Sequence, residues 1–539
     1  MGTCFSILKS GKSENAIVRI QQGFLEGFCV QTAKGDLCDV FHGIPYAEPP
    51  IGKLRFQKPQ PPKAWEGIRK CNKYPNRSIH KEMPWDKALP SANQSEDCLY
   101  LNVFAPKIRE DKNICKLLVS REIIVVTFHY RLGFLGFLST GDDVCPGNYG
   151  LFDMLEAMRW VHANISSFGG DPENITLSGQ SAGAAAAGLL SFSPLTKGLF
   201  KRKIVMGGNS YCHWATTSNH HIREYCKKWA KRLGWKPQLN YANKREESVD
   251  IFNFFYGLPT SKLGMTMFFS NTIFKECHLH FHFHLLQLLI KRFSHTTGNF
   301  SEKLKSMCPQ LLVAESAIGL LRGTEKEIDS AIDVLSRKNG LSRSKIETMT
   351  EKVYGDSPAL RADLKARKML FVQLISDIFA NYGIYRFMRD CQQRSVECYG
   401  YSFDHRSKRM WGWLQHVAPF TGGTHTSEIT YLFDCNALST PLGMSKTDKV
   451  VSGMTADYYT NFVKFGTPNG LNSQLPKWER ISPDDEHMKL ISIKPEPEMK
   501  TVVYGYRMQH FEDCLQQPEV PPGGIKIDES QEIVQKHDE

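Results

Sequence analysis

The chain is expected to form an α/β fold, with a mostly parallel central sheet and helices on both faces. Three stretches carry that expectation. Ile123 to Tyr130 (IIVVTFHY) is a continuous β-branched and apolar run, the pattern of a strand buried on both faces. Gly150 to Ser166 follows with Leu151, Met154, Leu155, Met158 and Val161 at helical spacing. Asn174 to Ser178 is again strand-like and leads through Gly179-Gln180-Ser181-Ala182-Gly183 into the small-residue stretch Ala184 to Leu190. Alternating strand and helix patterns of this kind build parallel sheets.

The remaining elements follow in order. Residues 17 to about 104 read as short strands separated by turns rich in Pro and Gly. Lys203 to Met206 reads as the strand after the small-residue helix. Residues 220 to 390 carry mostly helical patterns with long loops, and Val396 to Phe403 reads as a strand. From Gln516 onward the chain is polar with Pro518, Pro521 and Pro522, the composition of a disordered tail. The expected organisation is an N-terminal segment 1–16, one enzyme-sized domain 17–515 and the tail 516–539. No internal repeat is present.

Bulk composition excludes more than it selects. With 41% hydrophobic and 23% charged residues the chain has an ordinary globular composition. The net charge of +11 is spread without a basic block or an Arg/Lys stripe interleaved with aromatics, so nucleic-acid binding is not expected. No uncharged apolar run is long enough to span a bilayer. Met1-Gly2-Thr3-Cys4-Phe5-Ser6 fits an N-myristoylation signal at Gly2, with Cys4 as a palmitate acceptor; a chance Met-Gly start is the alternative. The apolar core before Lys9 is too short for a secretory signal. The expected location is therefore cytoplasmic, with membrane-surface association through the lipidated terminus. His278, His280, His282 and His284 alternate with apolar residues, but no carboxylate or spaced Cys accompanies them and no metal site is assigned.

The pentapeptide around Ser181 is the chemical centre of the sequence. A G-x-S-x-G between a strand and a helix makes a sharp, strained turn that presents the Ser181 hydroxyl at the edge of a sheet. The helix N-terminus behind it favours developing negative charge. The bland alternative is a chance match in a glycine-bearing turn.

Several further blocks occur in a fixed order. They are Phe41-His42-Gly43-Ile44-Pro45-Tyr46-Ala47-Glu48-Pro49-Pro50 with Leu54-Arg55-Phe56, then Glu96-Asp97-Cys98-Leu99-Tyr100-Leu101-Asn102-Val103. Tyr130-Arg131-Leu132-Gly133, Gly147-Asn148-Tyr149-Gly150-Leu151-Phe152-Asp153 and Phe168-Gly169-Gly170-Asp171-Pro172 follow. In these blocks the chain resembles the type-B carboxylesterases, the cholinesterase-like branch of the α/β-hydrolases, and among them nematode-like members. The resemblance runs from about residue 17 to 510. Gln180 stands where many relatives carry Glu.

That resemblance implies a serine esterase that needs no cofactor and acts on small-molecule carboxylic esters. Ser181 would be the nucleophile and the Ala182 N–H an oxyanion donor. His425, in Pro419-Phe420-Thr421-Gly422-Gly423-Thr424-His425-Thr426-Ser427-Glu428-Ile429, would be the general base, with Glu428 and Gln180 in supporting positions. The acid is open. Aligning on Gly319-Leu320-Leu321 puts Ile318 at its position; Glu315 is the nearby candidate, and a surface loop residue is the alternative reading of it. Cys71 and Cys98 match a disulfide of secreted members, which conflicts with the cytoplasmic expectation.

The chain departs from the family in one further place. Relatives carry an apolar strand ending in a His-Gly-Gly-Gly-type loop that supplies most of the oxyanion hole. Here Lys116-Leu117-Leu118-Val119 resembles the start of that strand, but Ser120-Arg121-Glu122 leads directly into Ile123, and no His-Gly-Gly occurs anywhere. A fold lacking one central strand and its oxyanion loop is therefore expected. An in-frame deletion, from a skipped exon or a faulty gene model, accounts for residues 110–125, and the unmatched stretch 277–295 points to the same cause. A catalytically weak or inactive binding protein on the same scaffold is the alternative to an active esterase.

Overall fold

Strand β8 (Arg202–Met206) is buried at all five positions, whereas β6 (Val125–Phe128) is half-buried at all four. That contrast follows from how the strands are shared between two sheets in the computed structural model. The structure describes residues 15–516 with interruptions, chiefly 32–36, 81–92, 108–117, 265–309, 316–324, 408–422 and 434–442. Gly2, Cys4, the histidines at 278–284 and the polar tail lie outside the described residues.

The first sheet contains β1 (Asn15–Ile20), β2 (Gly23–Gln31), β3 (Leu37–Pro45), β4 (Ile68–Lys70), β5 (Tyr100–Pro106) and β6. Its order is β1-β2-β3-β5-β6, with β4 beside β2. Every pair is antiparallel except β2 with β4. The second sheet runs β7 (Thr176–Gln180), β8, β9 (Gln310–Glu315), β10 (Glu397–Phe403), β11 (Lys489–Ile493) and β12 (Glu498–Thr501) in that spatial order. It is parallel from β7 through β11, and β12 returns antiparallel.

Two expectations are corrected here. Among the described residues the single, mostly parallel sheet is instead two sheets, of which only the second is mostly parallel. The run Ile123 to Tyr130 is not a buried parallel strand, because its ordered part, β6, pairs antiparallel with β5 and closes the first sheet. Among the described residues β6 ends one sheet, β7 ends the other, and no strand lies between them. A strand at a margin keeps one side of its backbone and part of its faces uncovered, so β6 is half-buried and β7 half-buried or exposed where β8 is not.

Twelve α-helices are described: α1 (Gly133–Phe137), α2 (Tyr149–Asn164), α3 (Ala182–Leu190), α4 (Asn219–Arg232), α5 (Lys244–Gly257), α6 (Arg343–Tyr354), α7 (Pro358–Ala362), α8 (Leu364–Ser376), α9 (Tyr382–Gln393), α10 (Ser427–Phe433), α11 (Lys446–Phe465) and α12 (Gly505–Gln516). Helix α2 binds the two halves together. Its Ala157 and Trp160 pack with Leu101 and Val103 of the first sheet. Its Met154, Leu155 and Met158 pack with Ala185, Ala186 and Leu189 of α3, and Phe128 of β6 and Leu177 of β7 rest on that same cluster. Burial of these apolar side chains joins the sheets without ladder hydrogen bonds between them.

Charged contacts reinforce the same seam. Asp153 of α2 accepts from Arg131 Nε and Nη2, at 2.8 and 2.6 Å, and from the Arg131 backbone N–H at 3.0 Å, all fully buried. The turn ahead of β6 is tied to α11, where Arg121 donates to Asp457 at 2.5 Å and Lys464 to Glu122 at 2.7 Å.

Candidate active site

Ser181 follows the last residue of β7 and immediately precedes α3. Its backbone stands at φ 55° and ψ −118°, a region non-glycine residues rarely adopt. The turn is possible because Gly179 lets the chain double back: a Cβ there would sit 2.2 Å from the Gly183 carbonyl oxygen. Gly183 itself meets no such obstruction, so of the two flanking glycines only Gly179 is sterically required. The Ser181 N–H donates to the Met206 carbonyl at 2.8 Å, which pins the elbow to β8. Ala182 is the first residue of α3, so its N–H is one of the helix-end donors without an intrahelical acceptor. It points where the helix dipole favours an anion.

His425 lies beyond β10, two residues after Gly423. A Cβ on Gly423 would fall 1.9 Å from the Phe403 carbonyl, so glycine is needed for the segment to pass the end of β10. Thr426 then adopts φ 75°, and α10 begins at Ser427. The imidazole is brought to the elbow: Gln180 Nε2 lies 3.3 Å from His425 Nε2. An amide nitrogen only donates, so this contact makes Nε2 the acceptor and places the ring proton on Nδ1. Burial lowers the His425 imidazole from 6.5 to about 4, so it is neutral near pH 7 and able to take a proton.

Glu315 is the last residue of β9, so the reading of it as a loop residue is corrected at the level of the backbone. The register carries the comparison further. Gln180 pairs with Met206, Val205 with Val313, and Ala314 with Tyr401. Ser181 and Glu315 therefore stand at one level along the strands, two strand spacings apart, or about 10 Å. Both occupy the carboxyl ends of parallel strands, where α/β sheets hold their ligands.

Glu428 sits in the first turn of α10, almost fully buried. Burial pushes its carboxyl up to about 7. Cys71 and Cys98 are free thiols within one core cluster, not a disulfide. Burial raises them to about 11 and 12, so both remain protonated and unreactive at neutral pH.

One buried group escaped the sequence reading. Asp448 accepts from His405 Nε2 and Ser407 Oγ, each at 2.7 Å, and belongs to a capping box with Ser445. The signal available was Ser445-x-x-Asp448 ahead of a helical pattern, a cap that by itself gives no hint of long-range partners. Among the described residues, no group of three or more His, Cys, Asp or Glu side chains is placed to hold a metal ion, and no helix is long and apolar enough to cross a membrane.

Comparison with known proteins bears on this geometry. Residues 14–119 and 111–511 match the family model described as the carboxylesterase family. The match falls in two parts that overlap at residues 111–119, within the β5–β6 connection. The chain is 29% identical to esterase cest-33 of Caenorhabditis elegans over 88% of its length and 90% of that protein. It is 28% identical to the bile salt-activated lipase of Bos taurus, covering 90% of this chain and 84% of the lipase. It is also 28% identical to the cholinesterase of Mus musculus, covering 88% and 83%.

Proposed function

Because the chain belongs to the carboxylesterase family, and so to the α/β-hydrolase fold, we propose that it is a serine hydrolase of small carboxylic esters with a reduced rate. Ser181 attacks the ester carbonyl while His425, released from the Gln180 amide at Nε2, takes its proton there, and the same histidine returns that proton to the leaving alcohol. Water then attacks the acyl-enzyme by the reverse proton path. Glu315 is the acid of the triad, reached from the end of β9. The Ala182 N–H stabilises the oxyanion. The chemistry requires no cofactor.

The observation that carries this reading is the strained Ser181 with His425 held over the neighbouring Gln180. The rate is reduced because the glycine-rich loop that supplies the other oxyanion donors is missing from the sequence. Each lost donor costs about 10²–10³ in kcat. That same gap supports the second reading, a binding protein without turnover.

Purified protein treated with an organophosphonate and assayed on a short-chain nitrophenyl ester separates the two. Labelling of Ser181 and turnover abolished by Ser181→Ala support the esterase. Labelling without turnover supports the binding protein, and no labelling defeats both uses of Ser181. The N-terminal lipidation at Gly2 and Cys4, with cytoplasmic membrane-surface location, is proposed alongside. Intact mass of the protein from its own cells checks it, and an unmodified N-terminus rules it out.

A further inference from the structure

We infer that Asp448 is a positioning residue for His425, holding both ends of the segment that carries it. The inference rests on the reading of His425 as the general base. Asp448 lies in the first turn of α11 and is 1% exposed. Four donors converge on its two oxygens. His405 Nε2 at 2.7 Å and Tyr431 OH at 3.3 Å reach Oδ1. Ser407 Oγ at 2.7 Å and the Ser445 backbone N–H at 2.8 Å reach Oδ2.

Those donors have a pattern. His405 and Ser407 follow directly on β10, where the segment toward His425 begins. Tyr431 is in α10, where that segment ends, six residues past His425. The two ends also touch each other: the His405 and Tyr431 rings meet edge to face at 5.4 Å, and Phe403 lies 5.0 Å from Tyr431. Helix α11 holds the far end twice, since Ser452 Oγ donates to the Tyr431 carbonyl at 2.6 Å. The near end is held on its other side by the His405 N–H bond to the Ile493 carbonyl of β11, 3.1 Å.

A helix cap alone needs none of the bonds from His405, Ser407 and Tyr431. Burial by itself would raise the Asp448 carboxyl, yet the bonds from His405, Ser407 and Ser445 hold it at about 2. A permanent carboxylate with all four donors satisfied is a rigid anchor, since a buried charge left short of partners is costly. Between the anchored ends the chain makes its left-handed turn at Thr426. Strain of that kind persists only where the surroundings over-determine it.

The test uses Asp448→Asn and Ser445→Ala side by side. The asparagine keeps the shape but turns one acceptor into a donor, so at least one of the four bonds is lost. Ser445→Ala removes the hydroxyl that caps the Asp448 N–H and leaves the carboxylate bonds in place. The expected result is a fall of at least tenfold in the rate at which a phosphonate labels Ser181 in Asp448→Asn. The kcat per labelled site should fall likewise with KM unchanged, and Ser445→Ala should label at the parent rate. Equal labelling rates for Asp448→Asn and the parent overturn the inference, as does an equal slowing in Ser445→Ala. If Asp448→Asn does not fold, Ser407→Ala and Tyr431→Phe each remove one bond, and each should slow labelling several-fold; unchanged rates in both overturn it. If the parent is never labelled, the esterase reading fails instead. His425 imidazole chemical shifts then report its placement, and shifts identical in Asp448→Asn and parent overturn the inference on their own.

Discussion

The two sheets bury their strands differently, and Ser181 stands on the less covered side. In the second sheet β8 is buried at every position, flanked by β7 and β9. Strand β7, which carries Ser181, is a margin strand with no fully buried residue, and β6 across the seam is the same. A parallel strand in an α/β enzyme is normally an interior one. The difference teaches that the elbow's local geometry survives without its expected neighbour. Gly179, the Ser181 bond to Met206 and the packing of α3 are enough to hold it. A strand between them would cover β6 and β7, and under the proposed function its loop would supply the other oxyanion donors.

The largest expected effect comes from removing the difference altogether. Inserting after Val119 an apolar strand that ends in His-Gly-Gly-Gly should pair both margins and supply oxyanion donors. We expect kcat on a short-chain nitrophenyl ester to rise by at least about 10². Stopped-flow or plate-reader rates normalised to phosphonate-titrated sites measure it, and no rise would show that the seam is not where activity is lost.

The two halves also treat buried charge differently. At the seam Asp153 is paired with Arg131 through three bonds, so Asp153→Asn leaves a buried guanidinium short of its partner and should cost about 3–5 kcal/mol. In the second half Glu428 is instead neutralised by burial, its carboxyl raised to about 7. Its folded form holds a proton that the unfolded chain releases near 4.5, so this contribution to stability is present below pH 4.5 and lost as pH rises through 7. Glu428→Gln should therefore gain on the parent by roughly 3 kcal/mol between pH 4.5 and 8. Urea titrations of both variants at the two pH values check the pair; a pH-independent gain for Glu428→Gln refutes the neutral carboxyl.

A smaller effect tests the burial contrast itself. Ile204 in β8 is 2% exposed, and Leu177 in β7 is half-buried. Ile204→Ala should cost about 3 kcal/mol and Leu177→Ala about 1 kcal/mol. Equal costs by urea denaturation would mean that β7 is as well covered as β8.

These comparisons also mark what the sequence made legible. The elbow was legible because the residues that make its turn lie within five positions, even though its bond to Met206 does not. Strand β8 and helix α2 were recovered to within a residue or two at their starts, since apolar runs and helical spacing are local signals. The burial and pairing direction of β6 were not, because both depend on which strand lies beside it, and that is set elsewhere in the chain. The same reason hid the site's supports: Gln180 and His425 are 245 residues apart, and His405 and Asp448 are 43 apart. Glu315 was found only as a residue near an aligned block; its standing level with Ser181 comes from strand register, which no single segment encodes.

The finest test lies between Gln180 and His425, at the margin strand's last residue. The amide donates to Nε2, and burial keeps the imidazole uncharged down to about pH 4. Gln180→Glu puts a carboxylate at the same place, which favours the imidazolium and raises the His425 pKa toward its ordinary value. The imidazole is the base only when neutral, so the acidic limb of kcat/KM should move up by one to two pH units, with little change on the plateau above pH 8. Under the proposed function the proton on Nε2 in that imidazolium also blocks the nitrogen that accepts from Ser181, so phosphonate labelling at pH 5 should slow in step. A pH–rate profile unmoved by Gln180→Glu would mean that the contact does not govern His425, and that burial alone sets its charge.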